Sequence, residues 1–191
     1  VEADECGALN EILAVEPDAV PLCGEIAEKL GEIDILVVNA TPDQPQMPIE
    51  EFTWEHFQTM IDFFIKSPYL LTRAVLPHMK ENRWGRIINI TSEVFQRSIG
   101  NFSAYVSAKG GQIGFTRSMA TELAPFNITV NLVAPGWIPV ERHENDPQEA
   151  KDGYRNLIPM DRWGAPDDVA GAVAYYASEE AGFVPGQTIC V

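Results

Sequence analysis

A doubly wound α/β fold, built on a parallel sheet with helices on its faces, is what this sequence predicts. Three observations point there. Short β-branched apolar runs recur along the chain, the stretches between them repeat apolar residues at helical spacing, and Gly or Pro punctuates the changeovers. A length of 191 residues is enough for one well-buried core and short for two, so residues 1–191 are read as a single domain.

Residues 1–30 are the hardest to place: the end of one strand, a short helix at about 8–15, a possible strand over 18–22 and a two-turn helical remnant over 25–30. A crossover between parallel strands takes roughly ten to twelve residues, so the interval from Leu22 to Ile33 is tight. The first strand and helix of the fold are therefore expected to be missing or incomplete. Residues 33–38, IDILVV, form the clearest strand; apolar on both faces, it is expected near the sheet centre. Over 55–80 the apolar residues Phe57, Met60, Ile61, Phe64 and Ile65, then Leu70, Leu71, Val75 and Met79, describe a long helix with a bend at Pro68. A strand over 86–90 follows Gly85, and a helix over 104–123 stops before Pro125. The strand over 128–133 ends at Pro135 and Gly136. The last helix, 167–177, opens behind Pro166 with Asp167 and Asp168 near the positive end of its dipole, and a final strand runs over 188–191. Residues 137–163 hold no period; three prolines and an acidic stretch make them a long loop of the kind that serves as a lid or binding loop.

Thirteen basic against twenty-eight acidic residues leave a net charge of −15, which repels a phosphate backbone and argues against nucleic acid as a partner. No apolar stretch reaches the roughly 20 residues that span a bilayer, and no basic-then-apolar leader opens the sequence, so no membrane and a cytoplasmic location are expected. Cys6, Cys23 and Cys190 are odd in number and far apart, and read as reduced packing residues. Glu141, His143, Glu144 and Asp146 read as a solvated charge cluster rather than a metal site, and His56 and His78 as helix-surface residues.

The chemistry centres on Tyr105 and Lys109. Four residues apart on one helix, they share a face. Ser92 stands just beyond a strand end, on the side of an open α/β sheet where ligands bind. A phenol with a pKa of about 10 is a poor base near neutrality; a nearby ammonium favours the phenolate and lowers it. A serine hydroxyl can then hold a carbonyl or alcohol oxygen while the tyrosine gives or takes the proton.

Around these residues the chain resembles the short-chain dehydrogenases/reductases, from about Gly31 to its end. IDILVVNA is similar to the family's strand with its Asn-Ala(-Gly) signature, GRIINITS to the strand leading to the catalytic serine, and SAYVSAKGG to the tyrosine–lysine motif. ITVNLVAPGWI resembles the strand and Pro-Gly turn beside the nicotinamide, and RWGAPDDVAGAVAYYASEEAGFVPGQTICV the last helix and strand. The resemblance implies a Rossmann-like domain that transfers hydride between NAD or NADP and a carbonyl or secondary alcohol, as in 3-oxoacyl carrier-protein reductases and sugar or polyol dehydrogenases. It implies that Ser92 orients the substrate oxygen, Tyr105 is the general acid or base, and Lys109 lowers the tyrosine pKa and binds the nicotinamide ribose. Asn39, Ala40, Tyr105, Lys109, Pro135, Gly136 and Ile138 would line the cofactor. Residues 137–163 correspond to the substrate loop, with Trp137, His143 and Tyr154 as candidate contacts. The helices over 55–80 and 104–123 pair across the family's dimer interface, implying a homodimer or homotetramer.

Departures from the family pattern are equally specific. The glycine-rich turn that lets a backbone approach a pyrophosphate is absent, since Gly7, Gly24 and Gly31 do not form it; without that segment low dinucleotide affinity is expected. The segment that separates NAD from NADP is absent or reduced to residues 1–6. Phe64 stands where the family carries a proton-relay asparagine, Val140 where it carries a threonine, and Thr41 where it carries a glycine. Phe64 and Thr41 also resemble the nicotinamide-independent halohydrin dehalogenases, but those carry arginine at the position of Lys109. A third possibility is a non-catalytic relative kept as an oligomer partner.

Overall fold

The computed structural model describes residues 19–191. At its centre four parallel strands lie in the order β1 (Ile35–Val38), β2 (Gly85–Ile90), β3 (Ile128–Ala134) and β4 (Thr188–Cys190). Helices α1 (Ala19–Leu30), α3 (Ser67–Asn82) and α5 (Ser103–Leu123) cover one face of the sheet. Helix α7 (Pro166–Ala177) covers the other. Cys23, Leu36, Leu71, Val75, Met79, Ile87, Leu123 and Val130 form the core on the first face; Ile88, Val133, Tyr176 and Ala181 form it on the second. The sheet is covered on both faces, so every residue of β3 and all of β2 but Ile90 are buried, the polar Arg86, Asn89, Thr129 and Asn131 included.

Two expectations change at β1 and before it. The strand is apolar on both faces, yet among the described residues it pairs only with β2; Leu36 and Val38 enter the core while Ile35 and Val37 are 43% and 42% exposed. Residues 19–22 of the possible strand over 18–22 form instead the first turn of α1, which continues without a break to Leu30 and packs on α3. A short apolar run cannot by itself separate strand from buried helix, and Pro21 suits a first helical turn. The helix expected over 8–15 and Cys6 lie outside the described residues.

The irregularity expected at Pro68 lies upstream of it, as a change of helical pitch. Helix α2 (Trp54–Ile61), capped by the Thr53 hydroxyl accepting from the His56 N–H at 3.2 Å, widens into a π turn at Asp62–Lys66 before α3 begins. Proline lacks an N–H and its ring crowds the carbonyl four residues back, so the extra residue of the π turn absorbs the clash. That turn carries Phe64, 1% exposed, into the interior.

The 137–163 segment is more ordered in form than its sequence suggests. It contains a 3₁₀ turn at Glu141–His143 and the two-turn helix α6 (Gln148–Arg155). A four-residue helix, α4 (Val94–Arg97), follows Ser92. No helix among the described residues is long and apolar enough to cross a membrane.

The start of α7 is clamped by charge. Both oxygens of Asp168 accept from Arg162, at 2.7 Å each, and one accepts from the Ala165 N–H at 2.8 Å. The Arg162 hydrogen bonds, then that N–H, hold its pKa at about 2. A depressed folded-state pKa contributes stability that is present above the unfolded value, about 3.9, and is lost as pH falls through about 2. Asp168→Asn should therefore flatten the acid limb of the stability curve between about pH 4 and pH 2, checked by urea titrations across that range.

Candidate active site

Parallel strands place all their carboxyl ends on one edge, and the site is assembled there. Asn39 and Ala40 follow β1, Thr91 and Ser92 follow β2, and Pro135, Gly136 and Ile138 follow β3. Backbone hydrogen bonds tie these ends together: the Thr91 N–H donates to the Val133 carbonyl at 2.8 Å, Glu93 to Pro135 at 3.1 Å, and Gly136 to Val191 at 2.8 Å. Asn39 is exposed at the mouth of the crevice, whereas Ala40, Pro135, Gly136 and Ile138 are half-buried.

Ser103–Leu123 is helical because small and apolar residues recur at helical spacing, and it stops at Pro125. That helix, α5, buries Tyr105 and Lys109 together, at 8% and 3% exposure. The Ser92 hydroxyl accepts from the Val94 N–H at 3.4 Å and lies close enough to the Tyr105 phenol to lower its pKa. Phe64 meets the Tyr105 ring edge-on at 5.3 Å and Phe102 lies at 4.9 Å. The Lys109 ammonium donates to the Ile90 carbonyl at 2.7 Å, sits 3.7 Å from the Phe64 ring centre and 3.5 Å from Gln112 Oε1. Phe64 thus offers its negative ring face to the cation in place of an amide. The structure brings the three predicted groups to one place.

The electrostatics differ from what spacing alone implies. Burial raises the Tyr105 pKa above the ordinary phenol value, with the nearby Ser92 hydroxyl and the Arg142 charge pulling it back. Burial pushes Lys109 well below the usual ammonium value, and Arg142 adds to that. Desolvation disfavours the charged form of each group and is the largest cause at both.

Sequence reasoning singled out Trp137, His143 and Tyr154, and these form one aromatic cluster. Trp137 meets His143 edge-on at 5.9 Å and Tyr154 edge-on at 5.5 Å. The Val140 N–H donates to His143 Nδ1 at 3.2 Å, and burial lowers the His143 pKa. Glu93, Arg97, Gln112, Arg142 and Trp163 were not singled out. Glu93 adjoins Ser92 and Gln112 follows Lys109 by one turn, so adjacency was the available signal. Beside the loop lies a cleft of about 630 Å³ walled by Trp137, Val140, His143, Lys151, Trp163 and Pro166.

A parallel-sheet crevice holding a strand-end serine, with a tyrosine and lysine one helical turn apart beside it, defines an α/β oxidoreductase. The chain belongs to the short-chain dehydrogenase/reductase family and is of its NAD(P)-dependent oxidoreductase kind. Residues 15–191 match the family model described as enoyl-(acyl carrier protein) reductase. Among the relatives, the 3-oxoacyl-(acyl-carrier-protein) reductase of Rickettsia bellii is 37% identical over 169 residues, covering 88% of this chain and 70% of that protein. A gluconate 5-dehydrogenase from Burkholderia cenocepacia, solved in complex with NADP and tartrate, superposes with a TM-score of 0.87 at 28% identity, covering 94% of this chain and 71% of that one. A halohydrin dehalogenase bound to ethyl (2S)-oxiran-2-ylacetate superposes with a TM-score of 0.84 at 26% identity, covering 92% and 74%.

Proposed function

We propose that this chain reduces a small-molecule carbonyl, or oxidises the corresponding secondary alcohol, with Ser92, Tyr105 and Lys109 as its catalytic groups. The observation that carries the reading is the convergence of three groups: Ser92 just past the end of β2, close enough to lower the Tyr105 pKa, and Tyr105 and Lys109 buried one helical turn apart on α5. In the reductive direction the Ser92 hydroxyl holds the carbonyl oxygen and Tyr105, whose raised pKa keeps it protonated, donates its proton to that oxygen. Lys109 stabilises the phenolate left behind, so the attraction that burial masks in the resting site is realised when charge develops.

The crevice fits the nicotinamide half of NAD or NADP: Thr91 Oγ1 is buried there without a hydrogen-bond partner, and Ala40, Pro135, Gly136 and Ile138 line half-buried walls. Asn39, Tyr105 and Lys109 would help to hold that half. The bound cofactor supplies or accepts the hydride. The NADP held by the gluconate 5-dehydrogenase makes NADPH the first cofactor to titrate. Residues 137–163 act as the substrate loop of a single domain, and α2, α3 and α5 serve as the pairing surface of a cytoplasmic homo-oligomer.

Phe64 favours a second reading, the halohydrin dehalogenase type, against which Lys109 stands. Titrating the whole protein with NADPH and NADH by tryptophan fluorescence, followed by a carbonyl panel, separates the readings. Saturable binding with carbonyl-dependent cofactor oxidation is expected. Halide release from a halohydrin without cofactor would replace this reading with the second, and neither activity would leave an oligomer partner.

A further inference from the structure

Among the described residues, α6 has one hydrogen bond that leaves the 137–163 segment. The Tyr154 hydroxyl donates to Glu93 Oε1 at 2.6 Å, while accepting from the Trp137 N–H at 2.8 Å. The other α6 side-chain bonds stay inside the segment: Gln148 to Asp152, Lys151 to the Glu144 carbonyl, and Arg155 to Asp161. No residue of α6 is buried, so packing alone does not fix it.

We propose that Tyr154 is a positioning residue, the latch that holds the 137–163 loop down on the Ser92 turn, with Glu93 as its catch. The inference deepens the oxidoreductase reading and rests on it. Glu93 is a preset acceptor. It follows Ser92 directly, its N–H is bound to Pro135 at 3.1 Å, and Arg97 holds its carboxylate at 2.6 Å. A hydroxyl donating to a carboxylate at such a distance is among the stronger hydrogen bonds. The Tyr154 ring is gripped as well: Trp163 stacks on it at 5.8 Å with planes 2° apart, and the Arg97 guanidinium lies 4.9 Å from its centre.

Gly136 completes the seat. Its φ is not positive, so no turn demands glycine there; rather, a Cβ at this position would collide with the Tyr154 hydroxyl. One oxygen therefore touches the serine turn, the Pro-Gly turn and the loop at once. Loop closure and the placement of Ser92 are coupled through it.

Hydrogen exchange across the whole protein, in wild type, Tyr154→Phe and Glu93→Gln, tests the latch, together with kcat and KM for the carbonyl. Tyr154→Phe keeps the ring and its stacking but loses the bond, so exchange over 148–158 should quicken about tenfold or more. Exchange in β2 and α5 should stay as in wild type, and KM should rise by a larger factor than kcat falls. Glu93→Gln keeps an acceptor without the charge and should give a smaller change in the same direction. Unchanged exchange over 148–158 in Tyr154→Phe would overturn the latch, as would equal quickening in β2 and α5. Exchange is read without substrate, so faster loop exchange in a protein inert to carbonyls would support the latch while sinking the oxidoreductase reading. Unchanged loop exchange in an active enzyme would do the reverse.

Discussion

Tyr105→Phe should lower carbonyl turnover by about 10²–10⁴-fold, the usual contribution of a positioned acid or base, while the fold stays intact. The substitution removes one oxygen and leaves the ring against Phe64 and Phe102, so the packing of that cluster is kept. The structural cost is small, at most about the 1 kcal/mol of one hydrogen bond, because the half-buried Ser92 can turn to water instead. Activity and stability are thereby separated. Steady-state kinetics and thermal melts on the same preparation check both; turnover at the wild-type rate would remove Tyr105 from the mechanism.

Lys109→Met is expected to lower turnover by about 10²-fold or more, since Tyr105 would lose the cation that stabilises its phenolate. Its effect on stability should run the other way. Lys109 is 3% exposed, and the partners at its ammonium are a carbonyl, an amide oxygen and an aromatic face, none carrying a full charge. Methionine fills similar space without a charge to desolvate, so the variant should be at least as stable as wild type at neutral pH. The pH dependence gives a sharper signature. Burial holds the folded pKa well below the unfolded value of about 10.4, so between the two the unfolded chain binds more protons. The contribution of the neutral amine is present above about pH 10.4 and is lost as pH falls through the folded value. Wild type should therefore gain stability relative to Lys109→Met as pH rises from neutrality toward 10. Denaturant titrations across that range giving parallel curves would contradict the buried, destabilised ammonium.

Much of the site was legible because its parts lie close in sequence. Tyr105 and Lys109 are one helical turn apart, and Ser92 follows a strand whose apolar run is unmistakable, so local periodicity was enough to place all three on one edge. The Tyr154–Glu93 pair, 61 residues apart, was not legible, because nothing local in either residue announces the other. Phe64 was recognised as a departure, but its role as a face for the Lys109 cation depends on the π turn that rotates it inward. Helix α1 was misread at its start because a short apolar run fits either period, and only packing on α3 decides between them.

Sequence alone determined strands β1 to β4, the long helices between them, the spacing that brings Ser92, Tyr105 and Lys109 to one edge, and the turns that end the strands, since these follow from spacing within one element or across one turn. Tertiary structure decided the protonation tendencies of Tyr105 and Lys109, the seat of Tyr154 against Gly136, and the exposure of Ile35 and Val37 on β1. The division has one physical cause: hydrogen-bonded periodicity is a local property of the chain, whereas desolvation and side-chain contact depend on which distant segments exclude water from a given atom.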